Sequence, residues 1–320
     1  MEEYPPQIIS ASRRTDIPNH YAAWFMQRIK ERYVLVRNAR DRNQIRTIDL
    51  SPQAVACIAF WTKNPGPMID FLKGLDGYSY YFLYTINAYG KDIEPRIPPM
   101  TESVDRFRSL ADTLGPDRVV WRYDPILINH SYPVGYHVES FNYLSRKLEG
   151  YTNTCIISFI DIYRNTIKHS QDLQLIDLDL ETMRKIVANF VTQGQSHGIK
   201  IQTCAEPADF DDLNVSHGSC IDAARIERIS GYHIPVTRDS NLRPYCKCAP
   251  SIDIGMYNTC INLCTYCYAN YNEHLVHANY AHARSGSPLQ IGQLEKGDNV
   301  IERKVKPSPA QLALFSEPKK

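Results

Sequence analysis

No run of about 18 apolar residues occurs along the chain, and the opening MEEYPPQIISASRR has no apolar stretch flanked by basic residues. Neither a membrane span nor a secretory leader is expected, and a cytoplasmic location follows as an expectation. Net charge is also scarce. Lys and Arg number 36 against 35 Asp and Glu, a formal +1, which leaves no global electrostatic footprint for non-specific nucleic-acid binding. H-x-H and H-E-x-x-H pairs are missing, so a His-based metallohydrolase has no motif behind it. Internal repeats and low-complexity tracts are lacking as well. What is present is 320 residues with 43% apolar content, enough to bury one large core.

Nine cysteines stand in this chain. In a reducing compartment stable disulfides are rare, and clustered thiols more often bind metals or do chemistry. Cys57 and Cys155 lie in the apolar runs ACIAFW and TCIISFI, where a thiol acts as a small hydrophobe. The other seven fall between Cys204 and Cys267, and that stretch is where chemistry is expected.

Short β-branched or aromatic runs alternate with longer amphipathic ones. The strand candidates are QIISAS (7–12), YVLVRN (33–38), ACIAFWT (56–62), YYFLYTI (80–86), RVVWRYD (118–124), CIISFID (155–161) and IKIQTCA (199–205), with SIDIGMY (251–257) as an eighth. Between them lie helix candidates such as NHYAAWFMQRIKE, PMIDFLKGL, TESVDRFRSLADTLG, YHVESFNYLSRKLEG and ETMRKIVANFVTQGQSHG, and YCYANYNEHLVHANYAHA follows the eighth strand. Eight strand-helix units predict a (β/α) barrel of the TIM type over residues 1–284, including a Cys-rich segment at 204–270, with an open doubly wound sheet as the competing arrangement. From Ser285 the chain turns rich in Pro, Gly, Ser and charge, which predicts an extended tail over 285–320.

The sharpest chemical signal is CINLCTYC, which places Cys260, Cys264 and Cys267 at C-x-x-x-C-x-x-C spacing. Three thiolates on a short loop can hold three irons of a 4Fe-4S cluster and leave the fourth iron open. There the amino and carboxylate groups of S-adenosylmethionine (SAM) can chelate, and an electron passed into the sulfonium releases a 5'-deoxyadenosyl radical. The opposing reading is a structural zinc site, which calls for four ligands at C-x-x-C or related spacing. The gaps, and the tyrosines Tyr266 and Tyr268 on either side of the last Cys, favour the cluster.

CINLCTYCYAN resembles the radical SAM motif, in the aromatic-flanked form of spore photoproduct lyase-like enzymes, over about a dozen residues. Over nearly the full length the chain is similar to the family called domain of unknown function 1848. The matching segments are SASRRTDIP, VLVRN, FWTKNP, WRYDPI, ISFID, GSCIDA and DIGMYNTCINLCTYCYAN. The resemblance implies a barrel architecture and a cofactor but no substrate. In typical radical SAM enzymes the three-Cys loop follows the first strand, whereas here it follows the last candidate strand. A circularly permuted barrel, with SIDIGMY beside 7–12, keeps the cluster at the carboxyl ends of the strands.

Cys204, Cys220, Cys246 and Cys248 make a complete ligand set for a second centre, either an auxiliary 4Fe-4S cluster, the favoured reading, or a zinc ion. The strand ends add polar groups: Ser12, Arg13, Arg14 and Asp16; Arg37 and Asn38; Thr62, Lys63 and Asn64; Arg122 and Asp124; Ser158 and Asp161; and Glu206. Capping and salt bridging explain many such residues. As a set, Arg13, Arg14, Asp16, Arg37, Lys63 and Arg122 are the candidate substrate contacts, with a cationic character suited to a carboxylate or phosphate. Asp124, Glu206 and Tyr266 are the candidate SAM contacts. Asp16, Asp124, Asp161 and Glu206 with His137 or His169 also allow a divalent-metal hydrolase.

Within the tail, QLALF (311–315) resembles the peptide by which bacterial repair and replication proteins dock on the DNA sliding clamp, through Gln311, Leu312, Leu314 and Phe315. The plain alternative is that these side chains fold back onto the body. Together these readings predict a radical SAM enzyme served by a reducing electron donor and acting on an anionic substrate, with a nucleic-acid base or nucleotide among the candidates. The alternative from another class is a zinc-stabilised adaptor tethered to the clamp.

Overall fold

The computed structural model describes residues 6–161, 172–234 and 242–302. Among the described residues there are eleven strands: β1 (Gln7–Ala11), β2 (Tyr33–Arg37), β3 (Gln44–Asp49), β4 (Val55–Thr62), β5 (Tyr80–Thr85), β6 (Val119–Ile126), β7 (Thr154–Phe159), β8 (Lys200–Thr203), β9 (Ser216–His217), β10 (Ile252–Asp253) and β11 (Asn299–Glu302). The helices are α1 (Ile17–His20), α2 (Ala22–Glu31), α3 (Gly66–Ile69), α4 (Met100–Leu114), α5 (Val134–Lys147), α6 (Leu180–Ser196), α7 (Ala223–Ser230) and α8 (Glu273–Ala281).

Eight strands form one parallel sheet in the order β10-β1-β4-β5-β6-β7-β8-β9. The alternation of side chains divides its residues between two faces. One face presents Ile9, Phe60, Phe82, Trp121, Tyr123 and Ile157 to the apolar stripes of α2, α4, α5 and α6. Aromatic stacking runs from β6 into the helices: Trp121 lies 4.7 Å from Phe141 of α5, which lies 3.9 Å from Phe190 of α6. The opposite face presents Ile8, Cys57, Ala59, Tyr81, Leu83, Val120 and Ile156 to a cover that includes Ile221, Ile226 of α7, Ile234 and Ala249.

The expected closed, permuted (β/α) barrel is corrected by this topology. Closure requires the two terminal strands to pair, yet β9 and β10 are two residues each and no ladder joins them among the described residues. The chain between them goes into α7 and the thiol-bearing stretches that cover one face instead of completing a ring. The result is a mixed α/β fold with a large parallel sheet of eight strands, in which no closed barrel is found among the described residues. One of the strands counted toward a barrel also belongs elsewhere: β2 pairs antiparallel with β3, and β11 pairs parallel with β3, in a separate sheet.

That second sheet alters the picture of the tail. From Ser285 to Glu302 the chain lies along the body, with Leu289 buried against Leu35 and Ile45 and β11 in register with β3. QLALF lies outside the described residues. Among the described residues no helix is long and apolar enough to cross a membrane.

Candidate functional site

The carboxyl ends of the parallel strands carry a continuous polar layer, and its organising residue is Asp253 at the end of β10. Its carboxylate accepts from Ser10 Oγ at 3.0 Å, Ser12 Oγ at 2.6 Å, the Arg13 amide at 2.8 Å and the Gly255 amide at 3.0 Å. Arg13 and Arg14 also place Nε at 3.6 and 4.0 Å from it. Gly255 is required by contact, since a Cβ there would stand 2.1 Å from Ser12 Oγ. This docking of β10 on β1 places the cysteine loop beside the first strand.

The loop itself is tethered residue by residue. Asn262, between Cys260 and Cys264, donates to Asp16 Oδ2 at 3.0 Å and accepts from Asn19 Nδ2 at 2.9 Å. The Thr265 amide donates to the Ile93 carbonyl at 3.0 Å, and the Tyr266 hydroxyl donates to Glu94. After Cys267, the Tyr268 hydroxyl donates to the Arg13 carbonyl at 2.7 Å. Before Cys260, Tyr21 holds the Thr259 carbonyl and Asn258 Oδ1 accepts the Tyr271 and Asn272 amides. Asp16 serves two purposes: it caps α1 through the Asn19 amide and holds the Lys63 amide at 2.9 Å.

Cys260 is buried, and Cys264 and Cys267 are partly so. Burial pushes all three thiols up; Asp16 and Cys267 raise Cys260 further, and Glu94, Cys267 and Cys260 raise Cys264. Backbone amides of Ala269 and Asn270 face the Cys267 sulfur and oppose the rise. Beside the loop, Asn270 gives its Nδ2 to the Cys260 carbonyl, while its buried Oδ1 has no partner.

Lys63, Glu94, Asn87 and Tyr266 form a compact group. Lys63 Nζ is 2.7 Å from Glu94 Oε1, which also accepts from Asn87 Nδ2 at 3.0 Å. Asn87 ties this group to β6 by accepting the Asp124 amide at 2.9 Å. Arg122 pairs with Asp124 and lies 4.9 Å over the Trp61 ring, and Ser158 Oγ donates to Asp124 at 2.6 Å. The next residue of β7, Phe159, donates its amide to Glu206 at 3.0 Å. Burial raises the Glu206 carboxyl above its usual range.

The structure therefore gathers Arg13, Arg14, Asp16, Lys63, Arg122, Asp124, Glu206 and Tyr266 at the strand ends. Arg37 is not among them: it sits on β2 and pairs with Asp298 at 2.6 Å in the second sheet. His137 is buried on α5 with Nδ1 2.8 Å from Tyr123 Oη and Nε2 2.8 Å from the Leu127 carbonyl, which leaves neither nitrogen for a metal. His169 lies outside the described residues, and Asp161 pairs with Arg243. Asp253, Asn262, Glu94 and Asn87 were not singled out by sequence. The short Asp-x-Gly step after a strand is the one local signal for the first of them.

Among the described residues, no group of three or more His, Cys, Asp or Glu side chains is arranged as a single bound metal ion requires. A cubane cluster holds its thiolates much further apart than one tetrahedral ion does. The donor set of the loop suits such a cluster: three thiols within eight residues of chain, on a segment whose intervening Asn262, Thr265 and Tyr266 are hydrogen-bonded to the body.

Among solved structures, a candidate alpha-L-fucosidase from Bacteroides thetaiotaomicron is similar at 10% identity with a TM-score of 0.28, over 87% of this chain and 95% of that one. That likeness is too weak to carry an argument about fold or function. No curated protein matches the chain. Residues 8–269 match the family described as Domain of unknown function (DUF1848), and the chain belongs to that family.

Proposed function

We propose that this chain is an iron-sulfur enzyme of the radical SAM type, in which Cys260, Cys264 and Cys267 hold a 4Fe-4S cluster with one iron open to SAM. The reading rests on one observation above all: the three thiols share a short loop at the carboxyl edge of a parallel sheet, and the residues between and beside them are individually anchored to the segments that follow β1 and β5. When bound, the cluster supplies the electron that cleaves the SAM sulfonium and so generates a 5'-deoxyadenosyl radical able to remove a hydrogen atom from a substrate.

The surrounding residues have distinct tasks in this reading. Tyr266 and Asn262 fix the loop, Lys63 compensates the buried Glu94, and Trp61 supports the Arg122 plane. Arg13 and Arg14 share one carboxylate, Asp253. Arg122 Nε is buried without a partner. That unpaired donor favours an anionic ligand, since a carboxylate or phosphate would satisfy it. Electrons reach the site from an external reductant.

The test is anaerobic purification with iron and sulfide analysis, followed by electron paramagnetic resonance of the reduced protein with and without SAM. About four irons per chain and a signal that shifts on adding SAM are expected. Iron-free protein under those conditions, or a signal indifferent to SAM, overturns the proposal. Cys264→Ser and Cys267→Ser variants are expected to lose the iron.

A further inference from the structure

The four thiols expected to share a second centre are not set around one ion. Among the described residues no group of three or more His, Cys, Asp or Glu side chains is placed as a bound metal ion requires. What the structure brings together is a pair. Cys204 directly follows β8, Cys220 stands just before Asp222, the N-cap of α7, and their Sγ atoms lie 3.4 Å apart in a hydrogen-bonding contact. Cys204 is 6% exposed and Cys220 1%, within the apolar cover that includes Ile221 and Ile226.

Both residues are held by their backbones, which leaves the side chains as the movable part. The Cys204 amide donates to the Ile157 carbonyl of β7 at 2.9 Å, and the Cys220 carbonyl accepts from the Tyr81 hydroxyl of β5 at 2.5 Å. The gap still to be closed for a sulfur-sulfur bond is on the order of 1 Å, within reach of small rotations of the two side chains. Packing alone explains why a cysteine is buried, but it does not require two sulfurs to be hydrogen-bonded partners. The hydrogen bond with Cys220 lowers the Cys204 thiol against the opposing effect of burial, and the thiolate is the form that reacts with an oxidant.

We propose that Cys204 and Cys220 are a reversible oxidation site, forming an intramolecular disulfide that fastens the end of β8 to the entry of α7. With hydrogen peroxide as the oxidant, the Cys204 sulfur displaces hydroxide from one peroxide oxygen and becomes a sulfenic acid. The Cys220 sulfur then attacks it, which forms the sulfur-sulfur bond and releases water. Two thiols and one peroxide thus give one disulfide and two waters, with two electrons passing from sulfur to oxygen. A dithiol reductant reverses the change and is itself oxidised to a disulfide. A partner thiol already in contact diverts the sulfenic acid from further oxidation. The bond spans 16 positions of chain and lies beside Glu206, whose carboxylate holds the Phe159 amide in the strand-end layer.

The experiment treats the full chain with hydrogen peroxide, blocks the remaining thiols with N-ethylmaleimide in denaturant and maps unreduced peptides by mass spectrometry. Cleavage at acidic residues is needed, because Glu206 and Asp209 separate the two cysteines whereas no Lys or Arg does. The peptides bearing Cys204 and Cys220 should appear joined, exceed every other cross-link of Cys204 by about tenfold, and come apart with dithiothreitol. The same treatment in urea should erase that preference. Cys220→Ser should leave Cys204 as a sulfenic acid that dimedone traps. Cross-linked protein should melt at a higher temperature than the reduced form. The map reads these two residues alone, so whatever the Cys260 loop holds does not alter it. Cys204 recovered unlinked in any oxidation state, or joined mainly to another cysteine, would overturn the proposal; an unchanged melting temperature in cross-linked protein would overturn the fastening.

Discussion

Glu94→Gln keeps the shape of the buried side chain and removes only its charge. In the native protein Glu94 is 3% exposed and Lys63 is 14% exposed, with Nζ and Oε1 2.7 Å apart. The same oxygen accepts from Asn87 and Tyr266, so the substitution strands a largely buried ammonium beside a neutral amide. Breaking a buried pair from one side costs about 3–5 kcal/mol; the residual exposure of Lys63 sets the expectation near the lower end, about 3 kcal/mol. With an unfolding entropy of about 2.1 cal/mol/K per residue over 320 residues, that loss lowers Tm by about 4–5 °C. Lys63→Met should cost a comparable amount, because it leaves the carboxylate buried with only neutral donors. The double variant removes both charges together, so it should be more stable than the sum of the single losses implies, by about 2 kcal/mol. Urea unfolding of the four proteins measures the cycle directly. Additivity within about 0.5 kcal/mol, or a Glu94→Gln loss below about 1 kcal/mol, refutes the reasoning.

Two further expectations come from other parts of the fold. Gly255→Ala forces a methyl group to 2.1 Å from Ser12 Oγ and 3.0 Å from Thr15 Cγ2; Ser12 cannot yield without leaving Asp253, so a loss of about 1–3 kcal/mol in urea unfolding is expected, and an unchanged midpoint would show that the β1–β10 junction is loose. His137 concerns pH: burial holds its imidazole down to about 4 against an ordinary 6.5, so between those values the unfolded chain binds a proton that the folded one refuses. Stability therefore falls as pH drops through that window, by on the order of 3 kcal/mol at its lower edge. A His137→Gln variant should show a flatter stability profile from pH 6.5 to 4, and an identical profile would assign the acid sensitivity elsewhere.

The strands that sequence reveals best are those buried on both faces. β4, β5 and β7 are buried along almost their entire length, and continuous apolar runs announce them. β3 escapes notice because burial in QIRTID recurs every third residue, at Ile45 and Ile48, instead of every second, and β9 because two residues carry no period at all. The error over closure has the same root. A strand-helix alternation fixes how many parallel strands form but not whether the first and last find each other, and at the decisive edge SIDIGMY supplies only Ile252 and Asp253 to pairing. Within the site, the cysteine spacing and the strand-end polar residues were readable because they are local. Asp253 reaching Ser12, or Glu94 reaching Tyr266, were not, since each joins residues far apart in the chain. Arg37 looked like a strand-end cation on the main sheet only because nothing in YVLVRN distinguishes one sheet from another.

The seam between β10 and β1 also dictates when the cysteine loop comes into being. The anchors across this seam, Ser12 to Asp253 and Asp16 to Asn262, join residues 241 and 246 apart in sequence. Such distant contacts form late, because the intervening chain must already be organised before the ends can meet. During synthesis β1 to β8 are made before Cys260, so the three thiols come last to the segments that tether them. In the proposed reading a cluster is therefore loaded only after those tethering residues have been made, and a chain truncated before residue 260 would lack all three of these thiols.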